Sequence, residues 1–177
     1  MSLIYNGLIY TKTNGTLTVG TNTKINGNAF VGEPFNRLSF ARKVDGYPVT
    51  AIGIFSFRET NIVSVFIHNW IEIIGEDAFA SCSNLASVEF EKGSSLRELK
   101  RGVFYRCVNI KKIVLFEKLE ISEIFVFLED NIDDLYYYGT YDLVLFHAFH
   151  NNINHQYYLL KKQIFHLFLI SQIIQFF

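Results

Sequence analysis

The chain has 177 residues, half of them hydrophobic, with 18 Phe, 10 Tyr and only 2 Pro. That length supports one domain with a substantial core, and the composition excludes a disordered chain. A formal net charge of −1 with scattered basic residues argues against a nucleic-acid partner, and two cysteines outside any Cys-x-x-Cys pair argue against a disulfide framework or a zinc ribbon.

The opening "MSLIYNGLIYTKTNG" carries no basic n-region, no uninterrupted apolar core and no small-residue cleavage site, so it does not read as a secretory signal. Residues 8 to 20 read as a β-hairpin. Asn14-Gly15 supplies the two positive-φ positions of a type I′ turn between "LIYTKT" and "TLTVG". Two other readings fall on this stretch. Asn14-Gly15-Thr16 is a glycosylation sequon that matters only on a secretory route, the turn alone accounting for Asn14. Gly15 to Gly20, "GTLTVGTN", is spaced like a phosphate loop but lacks its Lys and sits in a hairpin rather than between strand and helix. Residues 21 to 45 read as irregular, with one strand near Leu38 to Phe40, and residues 1 to 45 together as an N-terminal cap.

From residue 46 to about 140 the chain repeats itself. An Asn followed by an apolar residue opens "NIVSVFI" at Asn61, "NLASVEF" at Asn84, "NIKKIVL" at Asn109 and "NIDDLYY" at Asn131, with spacings of 23, 25 and 22 residues. Each segment then alternates as a half-buried strand does. Upstream lie the apolar pairs Val49/Ile52, Ile71/Ile74, Leu96/Leu99 and Ile121/Ile124. In the first three copies a Phe follows five residues after the second member, at Phe57, Phe79 and Phe104. Periods of 20 to 50 residues mark stacked architectures, in which a coil buries its apolar face only against its neighbours. Each coil is expected to give a short strand, a turn of helix over the Ala-Phe, and a longer strand. Cys82 and Cys107 fall where the first copy has Thr60, a column for a small, partly buried side chain. Two reduced structural thiols are the first reading there, an inter-coil disulfide the second.

The segments "DGYPVTAIG" and "IIGEDAFASCSNLASVEFEKGSSLRELKRGVFYRCVNIKKIVL", with the Asn-Leu-x-x-Val pattern, resemble the BspA-like leucine-rich repeats, a surface-antigen type found in anaerobic bacteria and trichomonads. The resemblance covers about residues 45 to 140. "NGLIYTKTNGTLTVG" and "LSFARKVDGYPVTAIG" also resemble the hairpin segment that precedes the first repeat in that family. The implied fold is a mainly β (α/β) leucine-rich-repeat solenoid of about four coils of 22–25 residues. The implied role is non-enzymatic binding of a protein partner, a host-cell or matrix protein, at the cell surface. The missing export signal points instead to a cytoplasmic scaffold of the same fold.

Residues 141 to 177 keep only "HAFHNNI" of the pattern and read as a degenerate repeat followed by an irregular or helical tail, with helix expected over 157 to 177. His147, His150 and His155 lie near Asp142, but their spacing matches no zinc signature, and no metal or cofactor is assigned. The tail after Lys161-Lys162 is too short and too interrupted for a transmembrane helix. Closing the solenoid end, weak membrane contact and degeneration are the three readings that stay open for it.

Counting two, four and six residues past the apolar residue after each Asn gives the positions that point away from the core. They are Ser64, Ser87, Lys112 and Asp134; then Phe66, Glu89, Val114 and Tyr136; then His68, Glu91, Phe116 and Tyr138. Several are aromatic without a core reason. Phe66, Glu89, Val114, Phe116, Tyr136 and Tyr138 are the candidate partner-binding residues, against the alternative of sheet stabilisation by cross-strand pairs or cover by the tail. No nucleophile–base pair or paired carboxylates emerge, so no catalytic residue is assigned.

Overall fold

The computed structural model describes residues 1–21, 29–30, 36–116, 118–123, 125–127, 130, 132–138 and 156–159. The chain opens with three antiparallel strands, β1 (Ser2–Tyr5), β2 (Leu8–Thr13) and β3 (Thr16–Val19). The expected hairpin is β2–β3, and β1 adds a second one ahead of it. Both turns are two-residue loops with positive φ at each position: Asn6 47° and Gly7 71°, then Asn14 49° and Gly15 82°. That is the type I′ geometry whose twist matches the flanking strands.

Two further strands precede the first full coil, β4 (Arg37–Ser39), which matches the strand expected there, and β5 (Lys43–Val44). The latter turns back through Asp45-Gly46 onto β6 (Tyr47–Ile52). From there to β13 the chain alternates long and short strands: β7 (Ser64–Ile67), β8 (Ile73–Ile74), β9 (Ser87–Phe90), β10 (Glu98–Leu99), β11 (Lys112–Leu115), β12 (Ile121–Ser122) and β13 (Asp134–Tyr137); a further long strand, β14 (Gln156–Leu159), is described after it. The short strands continue the N-terminal hairpins in one sheet ordered β1-β2-β3-β6-β8-β10-β12, with β5 off the edge of β6. The long strands form two parallel triplets, β4-β7-β9 and β11-β13-β14. The coils from β7 to β12 therefore each contribute one long strand to a triplet and one short strand to the common sheet.

The core between them is built as columns. Val49, Ile52, Ile71, Ile74, Leu96 and Leu99 are buried from the short-strand side, and Val65, Ile67, Val88, Ile113 and Leu115 from the long-strand side. Phe57, Phe79 and Phe104 are fully buried and stack nearly parallel, with centroids 5.3 and 5.6 Å apart. Phe127 extends the stack at 5.7 Å, and Phe30 and Phe40 close its other end on Phe57.

The turn of helix expected over the Ala-Phe is absent; no described residue is helical. The reason is visible in the backbone. Alternate N–H groups bond three residues back, as in Ala80 N–H to Asp77 O (3.1 Å) and Cys82 N–H to Phe79 O (3.2 Å). The intervening ones donate to the next coil: Phe57 to Ala78, Phe79 to Val103 and Phe104 to Val126 carbonyls, at 2.8 to 2.9 Å. An α-helix would spend all of these within one coil. Left-handed residues recur in register to make this geometry, Phe55, Asp77, Gly102 and Phe125 in one column and Glu59, Ser81 and Arg106 in another.

Two repeat features gain a cause. Gly75 of the Ile-Gly element lies where a Cβ would meet Ile54 N at 2.8 Å and Gly53 C at 2.9 Å, so glycine there permits the close approach of two coils. Cys82 and Cys107 are free, fully buried and donate to the Phe57 and Phe79 carbonyls at 2.9 and 3.1 Å; Thr60 Oγ1 donates to that same Phe57 carbonyl at 2.7 Å. Burial pushes the Cys107 thiol well up from its ordinary pKa.

The fourth coil sits differently from the sequence reading. Strand β12 pairs Ile121 with Glu98 and Ser122 with Leu99, so the apolar pair Ile121/Ile124 is two residues out of register. Buried Leu119 takes the place of Leu96, and Phe127 takes that of Phe104. The tail is also corrected where it is described: Gln156–Leu159 is a strand parallel to β13, not the start of a helix. The remainder of the expected helix, His147, His150, His155 and Lys161-Lys162 lie outside the described residues. The Gly15–Gly20 segment is strand β3 with its flanking turns, not a phosphate loop.

Candidate interaction surface

Parallel pairing brings the outward residues of the long strands into rows. Ser64 stands opposite Ser87 and Phe66 opposite Glu89; Lys112 stands opposite Asp134 and Val114 opposite Tyr136. These are the alignments that the Asn spacing gives. The structure adds a rung at each end, placing Arg37 and Ser39 beside Ser64 and Phe66, and Gln156 and Tyr158 beside Asp134 and Tyr136. No Asn anchors the first of these rungs. Its signal was the alternation Leu38-x-Phe40, which matches Val65-x-Ile67.

The face is divided. In its N-terminal half Arg37, Ser39, Ser64, Ser87 and Glu89 surround Phe66, which is 39% exposed, and together they line an open concavity of about 380 Å³. In its C-terminal half Lys112 and Asp134 form one charged row, and the outward side chains beyond it are apolar and aromatic. Val114, Phe116 and Tyr136 are half-buried, and Tyr138 is 42% exposed. The Phe116 and Tyr138 rings stack at 6.0 Å with 17° between planes, and Lys112 Nζ lies 4.7 Å over the Tyr136 ring. Such pairs hold aromatic faces rigid on the sheet, which lowers the entropy a partner's binding must overcome.

One of the expected outward residues is not there. His68 is 2% exposed. Strand β7 ends at Ile67, and the alternation of faces holds only while the chain is extended; beyond it the ring turns inward and Nδ1 accepts the Trp70 N–H at 3.2 Å. Burial, with the nearby Arg42 charge, holds its pKa below the ordinary imidazole value. Glu91, in the same row, is occupied locally. It accepts the Asn69 N–H at 2.9 Å and both bonds of the Arg42 guanidinium at 2.5 and 2.7 Å. The Asn69 amide, then the Arg42 guanidinium, hold its carboxyl below the usual range, against some desolvation. Arg42 was not foreseen, because nothing local in sequence ties it to a residue 49 positions on. Among the described residues no three His, Cys, Asp or Glu side chains gather closely enough to hold a metal ion.

Solved structures share this architecture. A leucine-rich repeat protein from Bacteroides capillosus superposes with a TM-score of 0.65 at 24% identity, covering 78% of this chain and 99% of that one. The Treponema pallidum leucine rich repeat protein gives 0.64 at 21%, covering 77% of this chain and 60% of that one. The pneumococcal vaccine antigen PcpA gives 0.56 at 16%, covering 81% of this chain and 42% of that one. At these identities the likeness speaks for the fold. No curated protein matches the chain. The model of the BspA type leucine rich repeat region matches six copies over residues 23–156, a span that takes in every rung from β4 to β13 and ends at the first residue of β14, and the chain belongs to that family.

Proposed function

We propose that the chain is a non-enzymatic protein-binding module that meets its partner through the long-strand face, and that it acts at a cell surface in adhesion or as an antigen. The observation that carries the binding reading is the aromatic C-terminal half of that face, with Phe116 stacked on Tyr138 and Tyr136 under Lys112. A stack held together by its inner columns has no need of aromatic residues on its outer positions, and rigid aromatic clusters are where interface energy concentrates. Phe66 and Glu89 supply a second, more polar contact zone, with Val114 between the two. The surface role draws on the family, and on one neighbour of the same fold, the pneumococcal PcpA, being a vaccine antigen.

The test is the double variant Phe116→Ala with Tyr136→Ala. Pull-down from host-cell and self extracts with the wild-type protein identifies a partner. The double variant is expected to lose it, each anchor contributing about 2 kcal/mol, while circular dichroism is unchanged. A folded double variant that binds as well as wild type sinks the reading. Location is tested apart from binding, by antibody labelling of intact cells. Labelling seen only after permeabilisation would assign the same face to a scaffold inside the cell.

A further inference from the structure

The short-strand sheet ends in β1, which among the described residues pairs with β2 alone. Its pairing shows which backbone groups are left over. Lys12 N–H bonds to Met1 O, so the hydrogen-bonded pairs with β2 fall at Met1, Leu3 and Tyr5, and the N–H and C=O of Ser2 and Ile4 point away from the sheet. Proteins protect such an edge with charge, proline or a bulge. Here the register runs evenly from Ser2–Thr11 to Tyr5–Leu8, there is no proline, and the first charged side chain in the sequence is Lys12.

The side chains are open as well. Met1, Leu3 and Tyr5 lie on the face that carries buried Leu8 and Tyr10, yet Tyr5 is 45% and Met1 88% exposed, and Ile4 on the other face is 67% exposed. Among the described residues the core face thus runs to the sheet edge and stops without cover.

We infer that β1 pairs antiparallel with β1 of a second copy about a two-fold axis at Leu3. Ser2 then faces Ile4 of the second copy, and Ile4 faces Ser2 of the second copy, which gives four main-chain hydrogen bonds from the groups that now point outward. Leu3 meets Leu3 of the second copy as a close pair without hydrogen bonds, on the core side, and Tyr5 covers Met1 of the second copy. A second copy fits this edge because self-pairing of an uncharged strand brings no like charges together and each copy supplies the apolar cover that the other lacks. The long-strand faces belong to the other sheet and stay free, so the dimer presents two of them.

The experiment is sedimentation velocity over a concentration series, with two variants. Wild type is expected as a dimer. Ile4→Pro removes an N–H that makes no bond within the chain, and is expected to be monomeric with its circular dichroism spectrum retained. Leu3→Cys is expected to form a covalent dimer on oxidation, whereas Thr11→Cys does not, the native thiols being buried. A wild type that stays monomeric, an open series of larger species, or a folded Ile4→Pro dimer each overturns the inference. Where Ile4→Pro fails to fold, the cysteine pair decides: cross-linking of Leu3→Cys no better than that of Thr11→Cys overturns it.

Discussion

Replacing Phe79 by Ala probes the central column most directly. The ring is fully buried and has a parallel neighbour on each side, Phe57 at 5.3 Å and Phe104 at 5.6 Å. Truncating a buried Phe to Ala costs about 3–5 kcal/mol from lost transfer energy and the cavity left behind. Each aromatic contact adds about 0.5–1.5 kcal/mol beyond area. With two contacts and stacked coils that cannot close independently around the gap, the cost belongs at the upper end, about 4–5 kcal/mol. Urea unfolding followed by far-ultraviolet circular dichroism measures it. A Phe79→Ala loss under about 1 kcal/mol would refute the column.

Three further outcomes are expected. Gly75→Ala forces a Cβ against the backbone of residues 53 and 54 and should lower the urea midpoint clearly more than Gly93→Ala, whose position has only its left-handed φ of 74° to strain; equal effects would show that the coils do not approach closely there. Cys82→Ser keeps a donor for the Phe57 carbonyl and should cost about 1 kcal/mol or less, and non-reduced mass spectrometry should find two free thiols, a quantitative Cys82–Cys107 bridge being the contrary result. His68 is held neutral by burial, so its folded pKa lies below the unfolded value of about 6.5 and protonation favours unfolding. Its contribution is present above pH 6.5 and is lost as pH falls through the depressed folded pKa, so a His68→Gln variant should flatten the melting temperature between about pH 7 and 5; an unchanged slope would refute this.

How much of this was legible in the sequence depended on whether a strict period governed the position. Along β7, β9, β11 and β13 the period of two is enforced by burial of one face, and counting from the Asn put Phe66 beside Glu89 and Val114 beside Tyr136. The counting failed one step beyond the strand, at His68, where the chain leaves the extended conformation. It failed again in the fourth coil. There Ile121-x-x-Ile124 imitates the apolar pair of the other coils, while the strand register puts Leu119 and Ser122, one of them polar, at those two positions. The Phe column carried the better signal, since Phe127 stands 23 residues after Phe104, as Phe79 stands 22 after Phe57.

The absence of helix among the described residues has the same origin as the success of the stack. A coil that ended in helix would satisfy its own backbone and join its neighbours through side chains alone. This one leaves alternate N–H groups for the next coil, as Phe57, Phe79 and Phe104 do, so successive coils are tied by main-chain bonds that are indifferent to side-chain identity. The outward positions thereby carry a smaller share in holding coils together. They run from serine and arginine at β4 and β7 to stacked aromatics at β11 and β13 without disturbing a single core column. In a molecule so built, the residue types on the long-strand face report on what that face meets. The concentration of aromatics beyond β9 is accordingly where contact with a partner should be sought first.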